Sequence, residues 1–590
     1  MDHRAFADER VREDFLTSCL IALLSTVVAV ALSLAAVMAV SRLPKRAGAV
    51  LQTLTYARLM IPEVVIAAGI LVVIQRLGLS TGTWSVVAGH IVFCSAYATL
   101  VLQSRFATLT GTYDEAAADL GAPPRRVFLK VLWPMMMPAV VIAALLSFTF
   151  SFDDVVSTVF LAGPETETLP VLILSLSRHG TSPEINAIAV AFMFVSLVLM
   201  CLVALASFWP SKQTRSVTLG RRRSMTTIAE PGYSPASLRL ENLACSFGDH
   251  HVVKGINLDI KGGEFFSLLG PSGCGKTTTL RMIAGLEQSD AGRILVDDKE
   301  IQGAPPHKRP VHTVFQNYAL FPHLTVFENV AFGLRERKES KQAVMEKVSR
   351  FLDLVELSGK EDHRPRQLSG GMQQRVALAR SLVLGPRVLL LDEPLGALDL
   401  RMRRQMQVLL KSVQHELGIT FVYVTHDQEE AFAMSDRVGL MQNGDLVQVA
   451  TPAEVYHQPA TRFAAGFVGA SNSLDGVVTG AGPGWYDVAI PGVGEGRVDG
   501  SGEVPADRNV TLILRPEVVG LQSAESTDFR AEGIVRDIAF LGARTSVRVE
   551  LADGRVITAD LASRTVPADV TVDAPCRVSW RSADMWAVTR

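Results

Sequence analysis

The chain has little cysteine: six residues in 590, at Cys19, Cys94, Cys201, Cys245, Cys274 and Cys576. None stands in a C-x-x-C pair, so neither a disulfide framework nor a thiolate zinc site is suggested. A reducing cytoplasm for the second half fits that pattern. Net charge is equally slight, a formal −2, and the tail beyond residue 471 shows no interleaved basic and aromatic surface. Both absences speak against a nucleic-acid partner. Met1 to Asp14 carries more acid than base, so a secretory signal is not expected there. Charge is what the first half lacks most, and long apolar runs are what the second half lacks.

At 590 residues the chain exceeds one hydrophobic core, and three or four domains is the prior. Apolar runs fill 15–40, 60–74, 84–102, 134–161 and 187–209. Most reach the ~20 residues that a bilayer-crossing helix needs, which gives about five spans. Lysine and arginine in the connections set the orientation. Arg42, Lys45, Arg46 and Arg58 separate the first two runs; Arg105, Arg125, Arg126 and Lys130 separate the third and fourth. Lys212, Arg215 and Arg221–Arg223 follow the fifth. All three basic segments then face the cytoplasm, and the N-terminus and the loop of Glu165 and Glu167 face outward. An odd number of spans leaves the second half inside.

That second half is organised around Gly270, Pro271, Ser272, Gly273, Cys274, Gly275, Lys276, Thr277 and Thr278. An apolar run, Phe265 to Leu269, precedes them as a buried strand, and a helical pattern follows. G-x-x-x-x-G-K-T between strand and helix is a phosphate-binding loop. Its backbone N–H groups turn toward polyphosphate oxygens, and the helix points its positive end at the same place. Lys276 supplies a point charge for the outer phosphates, and the Thr277 hydroxyl suits Mg2+. The side chain of Cys274 is filler. A nucleoside triphosphate, ATP, is the expected ligand.

Further motifs follow in an order that resembles ABC-type ATPases, and the resemblance implies their roles. Phe247 stands where an aromatic ring stacks on adenine. Gln316, in Val314-Phe315-Gln316-Asn317-Tyr318, resembles the glutamine loop that touches metal and attacking water. Leu368-Ser369-Gly370-Gly371-Met372-Gln373-Gln374-Arg375 resembles the signature that closes over the nucleotide of an opposite subunit. Ser369, Gly370, Gly371 and Gln373 would meet that second ATP, so two ATPase domains must face each other. Val388 to Leu391 reads as a buried strand ending in Asp392 and Glu393. Asp392 would hold magnesium with Thr277 and Gln316, and Glu393 would polarise water. Leu395 to Asp399 resembles a cross-dimer loop. His426, after the strand 420–424, would hold the γ-phosphate geometry. The catalytic set is thus Glu393, His426 and Gln316, with a helical subdomain over about 317–384.

The first half carries Tyr113-Asp114-Glu115-Ala116-Ala117-Ala118-Asp119-Leu120-Gly121, which resembles the E-A-A-x-x-x-G coupling loop of bacterial ABC import permeases. Glu115, Ala116, Ala117 and Gly121 are its matching positions. Leu146 to Val156 and Ser182 to Ala187 resemble the permease of spermidine/putrescine importers, as Phe315 to Val330 and Val424 to Ala431 resemble their ATPase. Such permeases usually have six spans on a separate polypeptide. Here the first span and its outer loop are lacking and the ATPase follows in the same chain. Either the fusion is shortened or the recorded start is internal to the gene. Carboxylates near lipid suggest function. Asp153, Asp154 and Glu63 are candidates for a polyamine path, set against ordinary interfacial helix ends; His90 reads as a packed or internally bonded histidine.

The tail alternates short strands with glycine turns, as in Ser546 to Leu551 and Arg555 to Thr558 about an Asp-Gly turn. It resembles the oligonucleotide-binding-like accessory domain of such ATPases. The expected architecture is multidomain: an α-helical membrane permease over 1–211, a linker over 212–236, an α/β ATPase over 237–470 and a small C-terminal β-barrel over 471–590. ATP-driven import of polyamines is the expected function, with ATP and Mg2+ as cofactors. Expected partners are a periplasmic solute-binding protein, membrane lipid, and a second permease subunit or second copy of this chain. Import of ferric iron or another small solute is an alternative within the class. An exporter, or a membrane-anchored ATPase that does not transport, is an alternative outside it. The coupling loop and the barrel tell against the exporter.

Overall fold

The computed structural model describes residues 9–109, 111–178, 183–207, 235–501, 506–522 and 527–589. The expected linker, apart from its last two residues, and the end of the expected fifth span at Trp209 lie outside them. Contacts divide the chain into two units. One comprises Met1–Ala117 and Pro123–Arg221, the other Ala118–Ala122 and Arg222–Arg590.

The first unit is helical. Among the described residues, Glu9–Val40, Thr83–Ala107 and Pro124–Phe152 are long and apolar enough to cross a bilayer. A fourth candidate is a broken pair, Arg46–Met60 and Glu63–Arg76, bent by 107°. The expected run from residue 60 therefore begins at a break. Ile61 is extended, at φ −80° and ψ 127°, because the ring of Pro62 disfavours helix in the residue before it. The expected run 134–161 is also divided. Its helix stops at Phe152 and a short one, Val156–Leu161, resumes beyond Asp153 and Asp154. At its other end the span is longer than expected, since a π turn over Phe128–Leu132 joins Pro124–Val127 to Trp133–Phe152. The fifth run forms the helix Pro183–Ser207.

Small and hydroxylated side chains let these helices approach, as lipid offers no hydrophobic drive between them. Ser33 Oγ donates to the Ser95 carbonyl at 2.9 Å, and Cys94 Sγ to that of Ser147 at 3.4 Å. A Cβ on Gly89 would sit 2.4 Å from Leu161 Cδ1.

The second unit holds the ATPase fold and the barrel. A six-stranded sheet runs in the order Asp445–Ala450, Arg437–Gln442, Phe265–Leu269, Thr420–Thr425, Val388–Asp392, Val311–Val314. Every neighbouring pair is parallel except the first. Strands buried on both faces read as nearly continuous apolar runs; Phe265 to Leu269 and Thr420 to Thr425 are buried at every position, and their Ser267, Thr420 and Thr425 hydroxyls are hydrogen-bonded. A four-stranded antiparallel sheet, His250–Ile260, Leu238–Phe247, Ala291–Val296 and Lys299–Glu300, packs its buried face into the same core. Helices Val326–Glu336, Lys341–Leu354 and Gly370–Leu382 lie in the expected helical segment. The tail closes a five-stranded barrel, Asn472–Gly482, Trp485–Ile490, Gly494–Ser501, Met585–Val588 and Asn509–Leu514. A second five-stranded sheet shares its core and holds the expected hairpin of Arg544–Leu551 with Val556–Ala562.

Candidate nucleotide site

In an open parallel sheet, ligands bind beyond the carboxyl ends of the strands. Here four strands end in the four motifs. Leu269 leads into the phosphate loop, Thr425 into His426, Asp392 into Glu393, and Val314 toward Gln316.

The phosphate loop depends on glycine at its two ends. A Cβ on Gly270 would lie 2.3 Å from the Met441 carbonyl, and one on Gly275 (φ +104°) 2.6 Å from that of Val252. Gly275 precedes the helix Lys276–Ala284, so the chain turns directly into the helix N-terminus. Pro271, Ser272, Gly273 and Cys274 form the turn between them, and Thr278 lies in the first turn of the helix. Lys276 is 4% exposed, and its ammonium donates to the carbonyls of Gly270 at 2.7 Å and Pro271 at 2.9 Å. Burial pushes the Cys274 thiol up, against the opposing pull of Lys276. That keeps it an inert neutral thiol.

Two pairs bring motifs from separate strands together. Thr277 Oγ1 donates to Asp392 Oδ1 at 3.0 Å, and His426 Nδ1 lies 3.2 Å from Glu393 Oε2. Burial raises the Asp392 carboxyl above the usual carboxylate range, while the Thr277 hydroxyl pulls it back down and the charge of Glu393 adds to the rise. Glu393 holds φ +42°, a left-handed backbone that non-glycine residues rarely adopt and that clusters at working sites. Its amide donates to the Val424 carbonyl at 3.0 Å, which ties it to the strand that delivers His426.

Gln316 is exposed, in the turn after Val311–Val314. Phe247 ends its strand 52% exposed, an open ring face. Ser369 caps the helix Gly370–Leu382, accepting from the Met372 amide at 3.4 Å. Gln373 donates to the carbonyls of Pro365 and Leu368, so the signature bonds within its own segment. Gly370 and Gly371 open that helix, and Asp399 caps the helix Leu400–Leu417. Glu115, Ala116 and Ala117 lie on the helix Thr112–Asp119, and Gly121 turns after it at φ +91°.

In the membrane unit, Asp154 is 8% exposed and pairs with His90 Nε2 at 2.6 Å. Its other oxygen accepts from the Ser157 amide at 3.1 Å. The Ser157 hydroxyl donates to Glu63 Oε1 at 3.2 Å, and His90 Nδ1 meets Ser151 Oγ at 2.6 Å. Asp153 faces outward beside them. Glu63 also lines a cavity of about 300 Å³ with Arg58, Pro62, Phe93 and Tyr97.

Three residues beside these motifs were not singled out in the sequence. Arg380, 1% exposed, donates to the carbonyls of Ala319 at 2.6 Å and Tyr318 at 2.8 Å, just past Gln316. Within the second unit Asp119 Oδ2 accepts from the Thr313 amide and meets His312 Nδ1, both at 3.2 Å. Glu430 takes the hydroxyls of Tyr423 at 2.6 Å and Thr425 at 2.8 Å, immediately below His426.

Fold and site together define a P-loop ATPase of the ATP-binding-cassette type. The family descriptions that match are "ABC transporter" over residues 253–396, "Binding-protein-dependent transport system inner membrane component" over 31–209 and "TOBE domain" over 512–588. The chain is 51% identical over 322 residues to the spermidine/putrescine import ATP-binding protein PotA of Rubrobacter xylanophilus, covering 54% of this chain and 85% of that one. It is 46% identical over 325 residues to PotA of Thermotoga maritima, covering 54% and 88%. Among solved structures it matches a dimeric, post-hydrolysis ATP-binding cassette bound to ADP and phosphate, at 33% identity and a TM-score of 0.34, over 36% of this chain and 98% of that one. The chain belongs to the ABC transporter family, with an importer permease domain and its ATPase in one polypeptide. It hydrolyses ATP in the service of transport.

Proposed function

We propose that this protein imports polyamines of the spermidine/putrescine type across the bacterial inner membrane, driven by ATP hydrolysis. The observation that carries the chemistry is the meeting of Glu393 with His426 and of Thr277 with Asp392 at one carboxyl edge of the sheet. The names of the relatives support the solute, and the permease match supports the direction.

The oxygens of Thr277 and Asp392 are the hard donors that a magnesium ion takes alongside phosphate oxygens and water. Bound there, Mg2+ would neutralise charge on the transferred phosphoryl group. Glu393 orients and polarises the attacking water, and His426 holds Glu393 and the terminal phosphate in register. Gln316 joins the metal site to the surface that senses the permease. Lys276 and the loop amides bind the phosphates, and Phe247 stacks on the base. The signature Ser369–Gln373 serves the nucleotide of a second ATPase domain, so the working unit holds two. The bond between Asp119 and the strand leading to Gln316 supports a coupling role for the loop of Glu115 to Gly121.

Outside the cell a solute-binding protein delivers the polyamine. The lysines and arginines of the loops support a cytoplasmic ATPase. Of the candidate path residues, Glu63 is best placed, since it borders a cavity with two aromatic rings that a flexible polycation can use. Asp154 serves structure through His90.

The test is ATPase activity in lipid bilayers with solute-binding proteins loaded with spermidine or putrescine. Stimulation only by a polyamine-loaded partner, lost in Glu393→Gln, is expected. Equal activity with every partner, loaded or not, would refute import by this chain.

A further inference from the structure

His426 stands at the end of Thr420–Thr425, and a helix, Gln428–Met434, starts directly afterwards. Several groups hold this corner from the ATPase side. The Asp427 amide donates to Thr425 Oγ1 at 2.9 Å, Asp427 Oδ1 accepts from the Glu430 amide at 3.2 Å, and Arg403 donates to Asp427 Oδ2 at 3.1 Å. One contact leaves in the other direction. The Gln428 carboxamide donates to the Phe467 carbonyl and accepts from the Gly469 amide at 2.7 Å. It clamps both sides of a short strap, residues 465–470, through which the chain passes from the ATPase fold into the barrel.

The barrel grips the same strap. Arg515 follows the barrel strand Asn509–Leu514 and is 4% exposed. Its guanidinium donates to the carbonyls of Val468 at 2.7 Å, Ala470 at 3.1 Å and Ala465 at 3.2 Å. It also donates twice to the Tyr456 carbonyl and lies 4.0 Å over that ring, whose hydroxyl donates to Glu517. Gly469 has φ +73°, and a Cβ there would lie 2.7 Å from the Tyr456 ring. The strap is thus fixed in one conformation by backbone bonds on both flanks.

We infer that Gln428 is a positioning residue for His426, and that Arg515 acts through the strap and Gln428 so that the C-terminal barrel sets the histidine's place in hydrolysis. The inference rests on the role proposed for His426 in holding Glu393 and the terminal phosphate in register. A carboxamide fits the task because it donates to one strap group and accepts from another in a single plane. A rotation of the barrel that pulls on 465–470 then moves the residue two places from the catalytic histidine.

The experiment uses the full chain in bilayers and four variants, Gln428→Ala, Arg515→Met, the double variant and His426→Ala. Losing the clamp should lower kcat about tenfold while KM for ATP stays within about twofold. A merely structural role would lower the melting temperature and leave kcat per folded molecule unchanged. Arg515→Met should lower kcat similarly, and the double variant no further, since both act through one strap. Hydrogen exchange at 425–430 should quicken in Arg515→Met, a readout that stands even where a Gln428 variant fails to fold. Additive losses, wild-type kcat in folded Gln428→Ala, or unchanged exchange would each overturn the link. Full turnover in His426→Ala would instead sink the role proposed for His426 itself.

Discussion

Replacing Arg380 with methionine tests how the glutamine loop is held. Tyr318 and Ala319, at φ +59° and +48°, sit in left-handed backbone, which disfavours both side chains. Their carbonyls both receive the Arg380 guanidinium, which also lies 5.4 Å over the Phe321 ring. A hydrogen bond from a charged donor contributes about 1.5–3 kcal/mol. Losing two removes roughly 3 kcal/mol at the lower bound, and it leaves two carbonyls in a strained turn without that donor. If the loss falls on local opening rather than on the whole fold, amides 315–321 should exchange about a hundredfold faster. Arg380→Lys keeps a charge but not the fork, so it should fall between the two. Hydrogen–deuterium exchange over that peptide, read beside kcat, is the assay. Unchanged exchange in a folded Arg380→Met protein would refute the assignment of loop order to this side chain.

Asp392→Asn should abolish hydrolysis yet raise the melting temperature at neutral pH. Burial lets the folded carboxyl keep its proton to higher pH than the unfolded one, so the folded state binds more protons and stability falls as pH rises through that range; the gain should vanish in acid. The Cys274 thiol, held up by burial, should alkylate with iodoacetamide more slowly than a free thiol at pH 8, and labelling as fast as the free thiol would refute its neutral state. His90→Leu leaves Asp154 buried without its imidazole and should destabilise the membrane unit by about 3–5 kcal/mol; adding Asp154→Asn should recover part of that loss in a melting series.

What could be read from the sequence was whatever lies contiguous in it. The phosphate loop, the signature, Asp392–Glu393 and His426 are each a few residues between a buried strand and a helix, and strand order then brings them to one edge. The Asp-Gly hairpin was legible for the same reason, whereas the parallel pairing of Gly494–Ser501 with Met585–Val588 joins segments far apart and left no local sign. The membrane spans were legible as apolar composition but not in their ends. Pro62 and the Asp153–Asp154 corner break runs that hydropathy alone carries straight through. Arg380, Gln428 and Arg515 were invisible because their hydrogen bonds go to main-chain atoms of distant residues, whose side-chain identity carries no trace of the bond.

That last property has an evolutionary side. The joint between ATPase and barrel is written in carbonyls and amides, so the side chains of Phe467 and Val468 serve the core in which they pack and not the grip itself. For the grip, selection acts on Gln428, Gly469, Arg515 and the Tyr456 ring against which the last two pack. A barrel from a distant relative carrying that arginine should therefore transplant onto this ATPase with its control intact, and one without it should fold in place and remain deaf.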